Sequence, residues 1–89
     1  MSKRSRFEIY IDLLKVVSKT HKPTLIMYRS NLSWNPTKKY LDDLVKLGLV
    51  REENTGRKLS KKHYYLTEKG MMVLTYFKKL EADFPFLFL

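Results

Sequence analysis

The pattern of hydrophobic and polar positions predicts a helix near the start of the chain. Apolar residues recur at helical spacing across residues 7–17. Ser5 and Glu8 have the spacing of an N-terminal capping box, and Pro23 closes the segment. We therefore predict a first helix over residues 6–20.

A short second helix is predicted to follow. Thr24 is a residue type that caps helices, residues 25–27 supply an apolar buried face, and residues 28–30 supply the outer face. Residues 31–34 have the composition of a turn.

A third helix is predicted over residues 36–47. Asn35 suits the N-cap, Pro36 suits the first helical position, and Gly48 is a common helix terminator. Its apolar residues at helical spacing are Tyr40, Leu41, Leu44, Val45 and Leu47. The second and third helices with their short turn form a helix-turn-helix.

The rest of the chain predicts a β-hairpin and a last helix. Residues 49–53 can form a strand, and residues 63–66, which are rich in tyrosine and place Tyr64 and Leu66 on one face, can form the returning strand. Residues 54–56 have turn chemistry, and Thr67 can cap a helix over residues 68–82. Because this hairpin directly follows the third helix, we predict that it is the wing of a winged helix-turn-helix. The predicted fold class is α+β, mainly α, with a three-helix core, a β-hairpin wing and a C-terminal dimerisation helix.

The length of 89 residues suits one domain. We divide it into a flexible basic arm (1–5), a winged helix-turn-helix domain (6–82) and an apolar C-terminal tail (83–89). The chain has no cysteine, which excludes disulfides and cysteine-based metal sites.

Eighteen Lys and Arg against nine Asp and Glu give a formal net charge of +9. This charge favours a polyanionic partner, either nucleic acid or an anionic membrane. No segment has the length of a membrane span or the pattern of a secretory signal, so we expect no membrane partner and a cytoplasmic, nucleoid-associated location.

Three segments resemble a family of archaeal winged-helix DNA-binding proteins. They are residues 24–33 (TLIMYRSNLS), residues 40–50 (YLDDL followed by LGLV) and residues 65–70 (YLTEKG). The family includes small archaeal transcriptional regulators and the related ten-kilodalton chromatin protein family. The resemblance covers about residues 6–80 and implies double-stranded DNA as the partner. The chromatin relatives have a long final helix that pairs with its mate, whereas here the predicted helix is short and ends near residues 83–85.

Candidate base-reading residues lie at the exposed N-terminal part of the third helix, the part that enters the major groove. They are Ser33, Asn35, Thr37, Lys38 and Lys39. Thr37 and Lys38 are the first choices. Trp34 is expected either to pack under the turn or to lie against the sugar–phosphate backbone. Asp42 and Asp43 are expected to face away from phosphate, and the alternative is that they read a cytosine amino group.

Basic residues elsewhere are candidates for phosphate or minor-groove contacts. They are Arg57, Lys58, Lys61 and Lys62 in the wing, Lys3 and Arg4 in the arm, and Arg29 on the second helix. The alternatives are an ordinary solvated loop for the wing and a solubilising tail for the arm.

The last helix is apolar on more than one face, and one of these faces would be exposed in a monomer. The candidate dimerisation residues are Met72, Val73, Tyr76, Phe77, Leu80, Phe84 and Phe86. We therefore predict a homodimer. The alternative is a tail that folds back over its own domain.

Catalysis is not predicted. His21 and His63 have neither a carboxylate partner in sequence nor metal-ligand spacing, and no nucleophile motif or phosphate-binding glycine loop is present. We expect no cofactor, no metal and no small-molecule substrate. The predicted function is a dimeric transcriptional regulator that binds double-stranded DNA. The alternatives are a sequence-tolerant architectural chromatin protein and a protein-interaction module.

Overall fold

A computed structural model describes residues 5–54 and 62–88. Its helices and strands are α1 (Arg6–Val17), α2 (Pro23–Ser30), α3 (Trp34–Lys46), β1 (Val50–Asn54), β2 (Lys62–Leu66) and α4 (Glu68–Asp83), followed by a 3₁₀ turn (Pro85–Phe88). The predicted fold class is confirmed: the fold is mainly helical, with one antiparallel hairpin after α3. No helix within the described ranges is long and apolar enough to cross a membrane.

One hydrophobic core joins the helices to the hairpin. Its buried members are Ile9, Leu13, Leu14, Val17, Ile26, Leu41, Leu44, Val50, Tyr64 and Leu74. Each α-helix and both strands contribute to it, so apolar positions from every element meet in a single cluster.

Helices α1 and α4 begin at the residues that the sequence predicted. The Ser5 hydroxyl accepts a hydrogen bond from the Glu8 backbone N–H at 3.1 Å, and the Thr67 hydroxyl accepts one from the Gly70 N–H at 3.0 Å. Both are side-chain caps that satisfy an otherwise free helix donor. Helix α1 ends at Val17, three residues before the predicted end.

The start predicted for α2 was wrong. The helix begins at Pro23 with Lys22 in the N-cap position, so Thr24 does not cap it. Proline suits this position because its ring presets a helical φ and its missing N–H would have had no helical partner. Ser30, predicted on the outer face, is buried because it lies one turn after buried Ile26.

The start predicted for α3 was also wrong. Ser33 is the N-cap and Trp34 is the first helical residue. Asn35 and Pro36 therefore lie inside the first turn, where a proline is tolerated because the first N–H groups of a helix have no carbonyl partner.

The hairpin is held against the helices by Tyr64, which is only 1% exposed. Tyr64 pairs with Glu52 across the hairpin. On its other edge the Tyr64 N–H donates to the His21 carbonyl at 3.0 Å, and His21 Nδ1 lies 3.0 Å from the Tyr64 carbonyl oxygen. The segment between α1 and α2 is thus held against the free edge of β2 by one backbone hydrogen bond and one side-chain contact.

A tight joint connects α3, β1 and α4. Gly48 ends α3 with a φ of +78°, in the left-handed region that glycine adopts easily. The Thr67 hydroxyl donates to the Gly48 carbonyl at 2.6 Å, and the Thr67 N–H donates to the Leu49 carbonyl at 3.0 Å. Gly70 packs directly on the Leu49 backbone. These contacts fix the start of α4 against the base of the wing.

Candidate functional site

Thr37, a first choice for base contact, is fully buried. It shares the inner face of α3 with Leu41 and Leu44, and its hydroxyl donates to the Ser33 carbonyl at 2.8 Å. The spacing from residue 37 to 41 to 44 is that of one helix face, which explains the burial. The structure therefore removes Thr37 from the candidate base-reading residues.

The outer face of α3 presents the other candidates. Ser33, Asn35, Lys38 and Lys39 are all exposed. Lys38 Nζ lies 3.4 Å from Asp42 Oδ2 one turn later, in an ion pair whose side chains are each more than two-fifths exposed. Such an exposed pair is weak, so Lys38 can leave it at little cost.

The two acidic residues of α3 point in different directions. The Tyr10 hydroxyl donates to Asp43 Oδ2 at 2.8 Å, so Asp43 faces α1. That hydrogen bond, with burial and the negative charge of Asp43, raises the pKa of Tyr10. Asp42 instead lies beside Lys38 on the outer face. Asp43 is thus turned toward α1, whereas Asp42 lies on the exposed side of α3, where contact with a cytosine amino group stays a prediction.

The N-termini of the two helix-turn-helix helices differ from those of α1 and α4. Helices α1 and α4 each have a hydroxyl cap and a glutamate in the first turn. Helices α2 and α3 have neither a side-chain cap nor an acidic residue in the first turn. Their free N–H groups and positive dipole ends therefore lack a negative partner within the described chain, and such ends favour anions.

Three lysines from separate elements surround one half-open cavity of about 700 Å³. We call it the helix–wing cleft; its defining residues are Lys22, Met27, Trp34, Lys38, Lys62 and Tyr64. Trp34 is 39% exposed on its wall. Trp34 is thus neither a core residue nor fully on the surface. Lys22 was not among the predicted site residues. Its position just before Pro23, a residue that marks a helix start, could have indicated a lysine at a helix N-terminus.

Only two of the other predicted basic residues, Arg29 and Lys62, lie within the described ranges. Arg29 is exposed on α2, and Lys62 is half-buried with its Nζ 3.5 Å from Glu52 Oε2. The wing and arm residues that lie outside the described ranges are Lys3, Arg4, Arg57, Lys58 and Lys61.

The candidate dimerisation residues fall into two groups. Met72 and Tyr76 are 68% and 63% exposed, and they line a shallow apolar groove on α4 together with Met71. Phe84 and Phe86 are also exposed and meet edge to face, with ring centroids 6.1 Å apart. The 3₁₀ turn that carries Phe86 follows α4 directly and leaves both side chains exposed.

Two of the remaining candidates contact their own domain. Val73 packs against the core, and the Phe77 ring lies 5.0 Å from that of Phe7. Leu80 is half-buried. Val73 and Phe77 therefore pack within their own domain, and both residues are poor choices for a dimer contact.

The histidines flank one tyrosine. His21 stacks on Tyr65 with ring centroids 4.3 Å apart, and His63, which lies in β2, is 6.5 Å from the same ring. The Arg51 guanidinium lies 4.8 Å from the Tyr65 centroid on the hairpin. Among the described residues, no group of three metal-ligating side chains is assembled.

Comparisons with known proteins agree with this architecture. An uncharacterised protein of Methanocaldococcus jannaschii is 33% identical over 69 residues, which make up 76% of this chain and 64% of that protein. The chain therefore spans somewhat less than two thirds of that relative.

Solved structures share the fold. The DNA-binding protein Sso10a-2 from Sulfolobus solfataricus superposes with a TM-score of 0.78 at 27% identity, over 96% of this chain and 86% of that one. A PadR family transcription regulator from Clostridium difficile superposes with a TM-score of 0.77 at 17% identity, over 89% and 92% of the two chains. The family model described as "Winged helix-turn-helix" matches residues 3–83. The chain belongs to the winged helix-turn-helix family.

Proposed function

We propose that this protein is a dimeric transcriptional regulator that binds double-stranded DNA, with the outer face of α3 in the major groove and the wing on phosphates or in the minor groove. The observation that carries the proposal is the pair of uncapped, acid-free N-termini on α2 and α3, next to lysines from both helices and the wing. Phosphate oxygens supply the negative charge that these ends lack.

The exposed residues of α3 have separate roles in this proposal. Asn35, Lys38 and Lys39 reach base edges, and Ser33 lies at the helix start where backbone phosphates approach. Arg29, exposed on α2, contacts phosphate. The basic arm and wing residues add phosphate contacts.

Two structural neighbours support the proposal. The Sulfolobus neighbour is a DNA-binding protein, and the Clostridium neighbour is a transcription regulator. The architectural alternative shares the same DNA surface and differs from a regulator in sequence preference alone.

The first test is fluorescence anisotropy with random-sequence duplex DNA across a salt series. If lysines neutralise phosphates, log Kobs falls linearly with log salt, by about 0.9 for each phosphate neutralised. Arg29→Ala is expected to weaken binding and to reduce the slope by about one, because Arg29 is proposed to contact phosphate. Lys39→Ala is expected to weaken binding through the loss of a base contact.

Two variants sharpen this test. Lys78→Ala removes an exposed lysine of the same charge from α4 and is the matched control, with unchanged affinity expected. Asp42→Asn removes the negative charge beside Lys38 and is expected to strengthen binding, because a carboxylate on this face repels phosphate. Equal losses for Lys39→Ala and Lys78→Ala would show only a net-charge effect and would contradict a defined DNA surface.

Selection from a random duplex pool decides between the regulator and the architectural protein. An enriched inverted repeat supports the regulator, whose specific sites typically bind about 10³-fold or more tighter than bulk DNA. Salt-sensitive binding without enrichment supports the architectural protein. No binding at low salt would overturn both and favour a protein-interaction module.

The dimer is proposed to form through the exposed side chains of Met72 and Tyr76 on α4 and of Phe84 and Phe86 just after it. All four side chains are exposed, and large exposed apolar patches are unusual on a monomer. A two-fold dimer would present two α3 helices to half-sites about 34 Å apart.

Sedimentation equilibrium tests the dimer. Tyr76→Glu is expected to give a monomer, because it places a charge in the apolar face. Tyr28→Glu makes the same substitution at an exposed tyrosine of α2 and is expected to leave the dimer intact. A wild-type protein that stays monomeric at tens of micromolar would contradict the proposed interface.

A further inference from the structure

We propose that α4 packs antiparallel against α4 of a second copy of this chain, in a register that places Glu68 of each copy opposite Lys79 of the other. This pairing rests on the dimer proposed above. It goes further because it fixes the direction of the two helices, their register and the charge pair that selects the partner.

The exposed side of α4 forms one continuous stripe. Its side chains recur every three or four residues, the spacing of one helix face, and line the shallow groove on α4. Gly70 and Leu74 are buried on the opposite side of the helix. The centre of the stripe is apolar, with Met71, Met72 and Tyr76 exposed by 56%, 68% and 63%. A helix that is apolar on both sides favours burial of the second side as well, and a second helix is the surface that fits such a stripe.

The two ends of the stripe carry opposite charges. Glu68 lies in the first turn of α4, Lys79 lies about three turns later, and both line the groove. Neither side chain forms an ion pair with any residue that the structure describes. Each charge is therefore free to pair with a second molecule.

The stripe is complementary to itself when the two copies run in opposite directions. Glu68 and Lys79 lie at equal distances from the point of the helix between residues 73 and 74, and a two-fold axis there pairs each with the other across the dimer. Met71 and Tyr76 also lie at equal distances from that point, so the same axis sets a thioether against an aromatic ring. A parallel pair would instead place Glu68 beside Glu68 and Lys79 beside Lys79, and like charges repel.

The charges also select the register. Sliding the second helix by about one turn toward fuller overlap would place Glu68 opposite Asp83, which has the same charge. Sliding it by about one turn the other way shortens the overlap and leaves Lys79 beyond the start of the second helix. In the selected register Phe84 and Phe86 extend past the first residue of the second copy's α4, so they border the contact.

Charge reversal tests the pairing. Glu68→Lys and Lys79→Glu each set like charges opposite each other twice in a dimer, and each is expected to weaken the homodimer about tenfold in sedimentation equilibrium. Lys19→Glu reverses the charge of an exposed lysine just after α1 and is the control, with unchanged dimerisation expected. Circular dichroism confirms that each variant is folded.

An equimolar mixture of the two reversed variants gives the sharper readout. One Glu68→Lys chain and one Lys79→Glu chain make two attractive pairs, whereas each homodimer makes two repulsive pairs. With one variant labelled with ¹⁵N, native mass spectrometry is expected to show about nine-tenths heterodimer if each homodimer is about tenfold weaker, against about half for random pairing. A variant that is merely destabilised does not recover dimerisation in this way.

Single cysteines test the direction of the helices, because the chain has no cysteine of its own. A mixture of Glu68→Cys and Lys79→Cys is expected to form a disulfide-linked heterodimer on mild oxidation, and this heterodimer keeps one Glu68–Lys79 pair. Neither variant alone is expected to link, because its two cysteines lie about 16 Å apart along an antiparallel pair, and a disulfide spans Cα atoms no more than about 7 Å apart.

The outcomes separate this pairing from the proposed function. Unchanged homodimers after charge reversal, random pairing in the mixture, or linkage by either cysteine variant alone would overturn the antiparallel register and leave the proposed dimer standing. A wild-type protein that stays monomeric would overturn the dimer and the pairing together. DNA binding is decided separately, by the anisotropy assay.

Discussion

Gly70 offers a direct test of the joint between the wing and α4. A Cβ atom at this position would overlap the carbonyl oxygen of Leu49 and lie 3.0 Å from its carbonyl carbon. Both atoms belong to the backbone, so no side-chain rotation relieves the overlap. Gly70→Ala must therefore move the start of α4 away from Leu49, at the point where Thr67 bonds to Leu49 and Gly48.

The expected magnitude follows from two opposing effects. In an ordinary helix interior, alanine is favoured over glycine by about 1 kcal/mol. Overpacking a well-packed site costs about 1–3 kcal/mol and sometimes more, and here the obstacle is rigid backbone. We expect the free energy of unfolding to fall by about 2 kcal/mol, which lowers Tm by about 8–16 °C for a domain of this size.

Thermal unfolding followed by circular dichroism measures this effect, at one fixed protein concentration because a dimer's Tm depends on concentration. Thr75→Ala, at an exposed position of the same helix, is the control and is expected to change stability by less than about 0.5 kcal/mol. A Gly70→Ala variant that melts at or above the wild-type temperature would refute the close packing of α4 on the Leu49 backbone.

Two further predictions concern tyrosines. Tyr10→Phe removes the 2.8 Å hydrogen bond to Asp43 that joins α1 to α3. The free energy of unfolding, measured with urea, is expected to fall by about 0.5–1.5 kcal/mol. An unchanged free energy of unfolding would mean that water replaces the bond equally well. The pKa of Tyr64 is raised from 10.0 to about 12 in the folded protein, so its neutral form is favoured by folding and stability falls as pH rises from about 10 through 12. Tyr64→Phe should flatten this part of the curve of stability against pH, and an unchanged decline would assign the decline to other groups.

Much of the fold was predictable because it depends on local patterns. The element order, the wing hairpin and the caps at Ser5 and Thr67 all follow from periodicity and from residue types within a few positions. Most core positions follow for the same reason, but Phe7, Leu25 and Leu47, which lie on the predicted apolar faces, are exposed.

The starts of α2 and α3 were mispredicted because a capping residue and a neighbouring proline indicated different first residues for each helix. Thr24 and Asn35 are both good capping residues, yet the helices begin one or more residues earlier, at Pro23 and Trp34. A proline fits any position of the first turn, so it marks the region of a helix start without marking the residue.

The sequence by itself determined the winged helix-turn-helix, the strong positive charge and the candidate basic surfaces, because composition and period are properties of the chain alone. Only the tertiary structure decided that Thr37 is buried and that Lys38 lies beside Asp42. It also brought Lys22, Lys62 and Tyr64 into one cleft from separate segments. The physical reason is that burial and electrostatic environment depend on residues far apart in sequence, and folding sets their distances.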